Sequence, residues 1–223
     1  MVESHSRQLA SKWVKTAALL SNTLLAAHVP PTRIYSANHL KSMLSEHEMV
    51  VIKPVCGAGG HGVIKVQKEG NGYAYTYYSK KGYASSFDGL YAALNRVKKK
   101  RSYLIQKGIR LATIGGRPID YRVKYVKTET GWVYRSMVGR LAKPGLFVTN
   151  LCRGGTMMTA AQGISRSLSS GMVASKKQEM RTLTVTATRV LETKFPGIGQ
   201  LGFDYGIDKN GKIWIFEVNT RPQ

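Results

Sequence analysis

Acidic side chains are scarce in this chain, twelve against thirty-four basic ones, so a place where two of them meet carries information. Asp204 lies in one β-type run, Glu217 and Asn219 lie in the next, and Asp208-Lys209-Asn210-Gly211 joins them. Asn-Gly suits a two-residue hairpin turn, whose central positions both need positive φ. With Asn210-Gly211 as that turn, Lys209 faces Lys212, and the pairing carried back along both strands sets Asp204 opposite Glu217. Their side chains would stand about 4.5–5.5 Å apart on one face, and Asn219, two residues on, points to the same face. A four-residue turn would make the two acids diagonal neighbours, still on one face. Facing carboxylates repel, and a hard divalent cation with oxygen ligands removes the conflict: Mg²⁺ held by two carboxylates, an amide and nucleotide phosphates fits. Without metal the pair is expected to stand close and unpaired by any lysine or arginine. Two salt-bridged or solvated strand-surface acids are the structural alternative.

The second chemical signal is Lys53-Pro54-Val55-Cys56-Gly57-Ala58-Gly59-Gly60-His61-Gly62, set between the apolar β runs 49–52 and 63–66. A Walker loop runs from strand to helix and carries its lysine inside the loop. Here a strand follows, and the lysine precedes the glycines. A glycine-rich turn between two strands can instead fold over phosphates with its N–H groups turned inward, with Lys53 as a fixed positive charge at the end of the incoming strand. Four glycines in six residues, Gly57, Gly59, Gly60 and Gly62, exceed what one hairpin turn needs. Between these two signals lie Asp120 and Arg122, which alternate onto one strand face, then Arg140, Asn150, Arg153, Gly154 and Gly155. Arginine suits two-pronged binding of phosphate or carboxylate. The histidines have no metal-ligand spacing, and neither Cys56 nor Cys152 has the partners of a nucleophile.

These residues need a scaffold of strands with a few helices. Leu9, Trp13, Leu20 and Leu24 recur at helical spacing and predict one entry helix, stopped by Val29-Pro30-Pro31. A short helix starts near Ser36 with Leu40, Met43 and Leu44. Gly70-Asn71-Gly72 turns into a strand carrying Tyr73, Tyr75 and Tyr77 on one face. Ser86 caps a helix burying Leu90, Ala93, Leu94 and Val97. Strands follow near 103–106, 120–126 and 132–138, then a helix holding Met180, Leu183, Ala187, Val190 and Leu191, and a last hairpin over 201–218. The class is α+β with mostly antiparallel sheets, divided into 1–35 (entry helix and linker), 36–104 (a lobe with the glycine loop) and 105–223 (a catalytic lobe).

The 223 residues carry a formal charge of +22 and 43% apolar content, with no apolar run approaching the length of a membrane span. Two cysteines are too few for a disulfide framework, which points to a reducing, cytoplasmic setting. The charge invites an anionic partner. Nucleic acid would be held only nonspecifically, because the one basic cluster, Lys98-Lys99-Lys100-Arg101, has no stacking aromatics threaded through it.

In their order and spacing these segments resemble the ATP-grasp superfamily, and within it the endospore coat-associated YheC/YheD group. More distantly they are similar to the ribosomal-protein glutamate ligases and the D-alanine–D-alanine ligases. The resemblance runs over nearly the whole chain: Ser11-Lys12-Trp13 through Pro30-Pro31-Thr32-Arg33, Val51-Ile52-Lys53-Pro54 with the glycine loop, Ile119-Asp120-Tyr121-Arg122, Thr149-Asn150-Leu151-Cys152-Arg153-Gly154-Gly155, Gly202-Phe203-Asp204, and Phe216-Glu217-Val218-Asn219. It implies two α+β lobes clasping a nucleotide. It also implies that Lys12, Lys53 and the glycine loop contact phosphates, that Gln106, Lys107 and Ile109 meet adenine, and that Asp120 stands near the ribose. Arg122, Arg140, Asn150 and Arg153 would hold the γ-phosphate or an acyl-phosphate, and Asp204, Glu217 and Asn219 one or two Mg²⁺, with Mn²⁺ able to substitute. The implied activity is an ATP-dependent carboxylate–amine ligase, in which a carboxylate attacks the γ-phosphate and an amine then displaces phosphate. The alternatives are a phosphotransferase, or a spore-coat protein that keeps the nucleotide site without catalysis. Such relatives usually carry an N-terminal domain before the entry helix and many continue past the last hairpin, so the acceptor site is expected either to be incomplete in this chain or to come from a partner. A basic surface suits an acidic peptide or protein as acceptor.

Overall fold

The structure, a computed structural model, describes residues 6–222. Ser11 caps helix α1 (Lys12–Leu20), its hydroxyl accepting from the Val14 N–H. The single entry helix expected from the sequence is two. The Ser21 hydroxyl bonds back to the Ala18 carbonyl, and Asn22 caps the short α2 (Thr23–Ala26). The buried face is also not the expected one: Lys15, Ala18, Leu19 and Leu25 are buried, whereas Leu20 and Leu24 are exposed. Ser and Asn compete for backbone hydrogen bonds and so favour caps over helix interiors, and the break shifts the register of everything after it.

Strand β1 (Thr32–Ile34), helix α3 (Ala37–Glu46), strands β2 (Met49–Pro54), β3 (Ile64–Glu69), β4 (Gly72–Tyr77) and β5 (Lys80–Ala84), helix α4 (Phe87–Val97) and strand β6 (Tyr103–Lys107) form one compact unit, Pro30–Ile109. Its sheet has the order β1-β6-β2-β3-β4-β5, antiparallel throughout. Ser36 and Ser86 cap the two helices as the sequence predicts. Alternation then does the rest. Val50, Ile52, Ile64, Val66, Tyr103 and Ile105 form a core with Leu40, Met43 and Leu44 of α3 and Leu90 and Leu94 of α4. Lys53 and Gln106 occupy alternate positions in β2 and β6 and face away from that core.

The other unit joins the chain before Pro30 to the chain after Ile109. It continues with β7 (Thr113–Ile114), β8 (Arg117–Thr128), β9 (Gly131–Leu141), a 3₁₀ turn (Leu151–Arg153), β10 (Thr156–Thr159), α5 (Ala160–Ser167), α6 (Val173–Lys194), β11 (Gln200–Ile207) and β12 (Ile213–Asn219). Its sheet order is β10-β9-β8-β11-β12, again antiparallel, with β7 on β8. The long helix α6 buries Met180, Leu183, Thr184, Ala187, Thr188 and Leu191. Of these, Met180, Leu183, Ala187 and Leu191 form the core with Tyr121, Val123, Phe203, Tyr205 and Val218 from the strands. Buried Tyr205 keeps a partner for its hydroxyl in Thr184, at 2.8 Å. The 1–35 segment expected as one piece divides at Val29, with α1 and α2 in this unit and β1 in the other.

Candidate functional site

In the sheet of this second unit, the strand face that carries Asp204 gathers charge. Asp204 of β11 is registered with Glu217 of β12 on one side and with Arg122 of β8 on the other. One row along, Asp120 of β8 is registered with Arg140 of β9. Directly paired residues of an antiparallel sheet share a face, so all five polar side chains lie together. Arg140 grips Asp120 through two bonds, Nε to Oδ1 at 2.8 Å and Nη2 to Oδ2 at 2.6 Å, and reaches Asp204 Oδ1 at 2.7 Å. Arg122 grips Asp204 in the same two-pronged way, at 2.5 and 3.1 Å. Asn219 Nδ2 donates to Asp204 Oδ2 at 3.4 Å. Asp120, Asp204 and Arg140 are all buried.

The pairing of Asp204 with Glu217 is the one the sequence predicts, but the route differs. The hairpin loop is not Asn210-Gly211 alone. Asp208 and Lys212 close it, with the Asp208 N–H bonded to the Lys212 carbonyl at 3.0 Å. The Asp208 carboxylate accepts from the N–H groups of Asn210 and Lys212, the turn-forming habit of aspartate. Ile207 therefore faces Ile213, one residue out of the expected register, and a β-bulge between Asp204 and Tyr205 restores it with Phe216 as the extra residue. The bulge has a visible cause. A Cβ on Gly206 would stand 2.3 Å from the Phe216 ring and 2.6 Å from Leu111, so only glycine leaves room for that ring.

The expectation that the two acids stand unpaired by lysine or arginine is overturned. Asp204 is held by two arginines, and Glu217 meets Lys12 of α1, Nζ to Oε1 2.8 Å. In a chain this basic, a buried carboxylate without metal is neutralised by the cations around it, since an uncompensated buried charge is the costlier state. The titration of the group follows. Burial pushes the Asp204 carboxyl up, but Arg140 and Arg122 outweigh it, and the pKa falls below the ordinary aspartate value. Asp120 goes the other way: burial dominates over Arg140 and the Thr149 hydrogen bond, with Asp204 adding to the rise. For Arg140, burial would lower the pKa, and the two carboxylates more than reverse that.

Thr149 was not singled out from the sequence, nor was Thr32. Both lie in segments that carry the family resemblance, but the partner that gives each its role, Asp120 for Thr149 and Gln106 for Thr32, lies far along the chain. Lys12 was expected on phosphate, and here it serves Glu217. Asp120, expected beside a ribose, here holds Arg140. Asn150 and Arg153 sit on the 3₁₀ turn after Thr149, closed by the Arg153 N–H to the Asn150 carbonyl at 2.9 Å. Gly155 lies where a Cβ would meet three carbonyl oxygens at 2.7–3.3 Å, which fixes that glycine sterically. The oxygen donors Asp204, Glu217 and Asn219 suit Mg²⁺ in kind, and the cross-strand pairing with the Asn219 bond puts them together. No set of three or more His, Cys, Asp or Glu side chains placed to hold a metal occurs among the described residues.

The glycine loop belongs to the Pro30–Ile109 unit. Gly57, Gly59, Gly60 and Gly62 all have positive φ, between 65° and 131°, which explains the excess of glycine. Lys53 is only 8% exposed, and its Nζ donates to Gln106 Oε1 at 2.8 Å. Gln106 Nε2 in turn donates to Thr32 Oγ1 at 2.8 Å, and that hydroxyl donates to the Pro30 carbonyl at 2.7 Å. Gln106, expected to meet adenine, thus fixes the ammonium with its amide. Lys107 and Gly108 anchor the segment by backbone bonds to Pro31 and Met49, both 2.8 Å, and Ile109 follows them.

A glycine-loop hairpin unit together with a unit whose sheet presents paired acids and arginines is the ATP-grasp fold. Solved structures with this fold superpose on the chain. They include N5-carboxyaminoimidazole synthetase from Staphylococcus aureus complexed with ADP (TM-score 0.63, 10% identity, 97% of this chain and 46% of that one). D-alanyl-alanine synthetase A from Vibrio cholerae is another (TM-score 0.58, 12% identity, 96% and 55%). The chain belongs to the YheC/D like ATP-grasp family, whose profile matches residues 3–223. Among curated proteins it is similar to the endospore coat-associated proteins YheD (28% identity over 220 residues, 95% of this chain) and YheC (25% over 229 residues, 97%) of Bacillus subtilis strain 168. It spans 48% and 61% of their lengths.

Proposed function

We propose that this chain is the catalytic core of an ATP- and Mg²⁺-dependent ligase that joins a carboxylate to an amine through an acyl-phosphate. The observation that carries the reading is the polar sheet face on which Asp204, Glu217, Asn219, Arg122 and Arg140 converge. In the Pro30–Ile109 unit, Lys53 and the loop of Gly57, Gly59, Gly60 and Gly62 take nucleotide phosphates, and Gln106 and Lys107 at the end of β6, with Ile109 just after it, serve the base. In the other unit, Lys12, Arg122, Arg140, Asn150 and Arg153 hold phosphoryl oxygens, with Asp120 keeping the Arg140 fork in place. Asp204, Glu217 and Asn219 hold Mg²⁺ (or Mn²⁺), which when bound neutralises phosphate oxygens. A carboxylate oxygen of the donor bonds to the γ-phosphorus and ADP leaves. The amine then bonds to the acyl carbon, phosphate leaves, and the amine loses a proton. Positioning and charge neutralisation carry such transfers, so no protein nucleophile is needed.

The +22 charge supports an acidic peptide or protein as acceptor. The names of its relatives support a place at the spore coat, which imaging of a tagged chain during sporulation would check. The direct test incubates the protein with ATP, Mg²⁺, amino acids and acidic peptides, following ADP release and the mass of the products. ADP formation that requires both a donor and an amine, with a product lighter by one water than their sum, is the expected result. A phosphorylated product with no amide would mark a phosphotransferase instead. Absence of turnover from a protein that binds nucleotide would favour a coat component without catalysis.

A further inference from the structure

The glycine loop faces a second cation that its own motif does not contain. Arg101 precedes β6, and the chain beside it is tied to the loop's entry by the Val55 N–H, which donates to the Ser102 carbonyl at 3.0 Å. Its guanidinium lies against the loop itself. A Cβ on Gly62 would stand 2.6 Å from Nη2, and one on Gly57 3.7 Å from Nη1. Gly62 is buried beneath this guanidinium and Pro54, whose Cγ would be 2.9 Å from the same Cβ. Among the described residues, the guanidinium makes no hydrogen bond or ion pair; it stands 5.7 Å from the centroid of the Tyr103 ring and within electrostatic reach of the Tyr77 hydroxyl. Lys53 is the opposite case, buried and bonded to Gln106. The loop thus has one cation committed to the sheet and one exposed, with five N–H donors uncommitted.

We propose that Arg101 is a phosphate-binding residue of this loop, taking non-bridging oxygens of the nucleotide's phosphates with its planar fork. The proposal rests on the nucleotide reading above and adds to it a ligand from outside the loop. Guanidinium geometry matches a phosphate through two parallel bonds, which an ammonium cannot reproduce. The loop's four positive-φ glycines leave the surface beside the guanidinium without side chains, so a phosphate can approach both it and the backbone N–H groups.

The test is calorimetric binding of ATP, ADP and adenosine to the intact protein, wild type and variant, at fixed ionic strength. Arg101→Ala is expected to weaken ATP and ADP roughly tenfold to a hundredfold and to leave adenosine unchanged. Arg101→Lys should recover only part of the loss, and Arg101→Gln almost none. Because Arg101 is exposed, all three should melt with the wild type. Equal ATP affinity in wild type and Arg101→Ala would overturn the proposal and leave the nucleotide reading standing. An equal loss for adenosine and ATP would also overturn it, by showing a loop-shaping role. A wild-type protein that binds no nucleotide overturns both.

Discussion

Asp204 accepts from Arg122, Arg140 and Asn219, and that concentration of donors sets how the fold responds to acid. Its carboxyl is held below the ordinary aspartate value, so the folded state keeps it ionised when the unfolded chain has already taken up a proton. It therefore contributes stability that is complete above about pH 4 and is lost as pH falls through its lowered folded value. Asp120, raised by burial, has the opposite sign, contributing below the ordinary value and giving that up as pH rises through its folded one. Urea midpoints measured from roughly pH 3 to 6 should show a flattened acid limb in Asp204→Asn but not in Asp120→Asn. At neutral pH, Asp204→Asn should cost about 3 kcal/mol, because the half-buried Arg122 loses its anion and buried Arg140 keeps only Asp120. Glu217→Gln keeps the shape of the side chain and removes the charge that faces Lys12. Relief of repulsion with Asp204 would make this variant more stable, whereas the Lys12 pair makes it less so, by about 1–2 kcal/mol. Turnover should be lost in either case, and a melting temperature above the wild type would contradict the pairing described. The acids themselves were legible in the sequence, since a basic chain with few carboxylates gives each one weight. Their cationic partners were not, because Lys12 and Glu217 are two hundred residues apart and no period links them.

At the scale of elements, alternation and caps made most strands and helices readable. Ser36 and Ser86 mark true helix starts, and Val50, Ile52, Ile64 and Val66 face the core as their period requires. The entry helix was misread because Leu20 and Leu24 fit a single helical period that the Ser21–Asn22 break does not preserve. The last hairpin shows a correct pair reached through two compensating departures: a longer loop closed by Asp208, then a bulge at Phe216. The sequence holds a trace of the second, since Gly206 is the residue whose missing side chain admits the Phe216 ring. Gly206→Ala should cost about 1–3 kcal/mol by overpacking against Phe216 and Leu111. Straightening the bulge would also turn Glu217 away from Asp204. Turnover should accordingly fall by more than the loss of folded protein explains, which parallel melting and rate measurements on the purified variant would separate. If activity simply follows the folded fraction, the bulge does not set the position of Glu217.

The molecule as a whole carries +22, and such a charge acts on solubility, encounter and self-repulsion rather than on the choice of fold. Part of it is folded inward. Lys98, from the basic cluster near residue 100, stands 3.6 Å over the Tyr35 ring, and burial lowers its pKa. Affinity for a poly-glutamate peptide should fall steeply between low and physiological salt, as pairs at exposed sites are screened within about 8–10 Å. A neutral peptide binding equally well across that range would remove the case for an acidic acceptor. Another whole-molecule property follows from the order in which the units are strung along the chain. The Pro30–Ile109 unit interrupts the other, so the segment up to Val29 is made before that unit and must wait for its partners beyond it. Several of those partners lie in β12 and just after it: the Leu9 N–H bonds to Thr220 Oγ1 at 2.8 Å, the His28 carbonyl accepts from the Ile215 N–H at 2.8 Å, and Lys12 meets Glu217. During synthesis the interrupting unit has all its strands once β6 has left the ribosome, while α1 still lacks α6 and β12, the distant elements it packs against. Nascent chains arrested after β6 should therefore resist protease over residues 30–109 while remaining cleavable near α1. The lysine destined for Glu217 therefore lacks that carboxylate throughout synthesis of the intervening chain, until β12 is made.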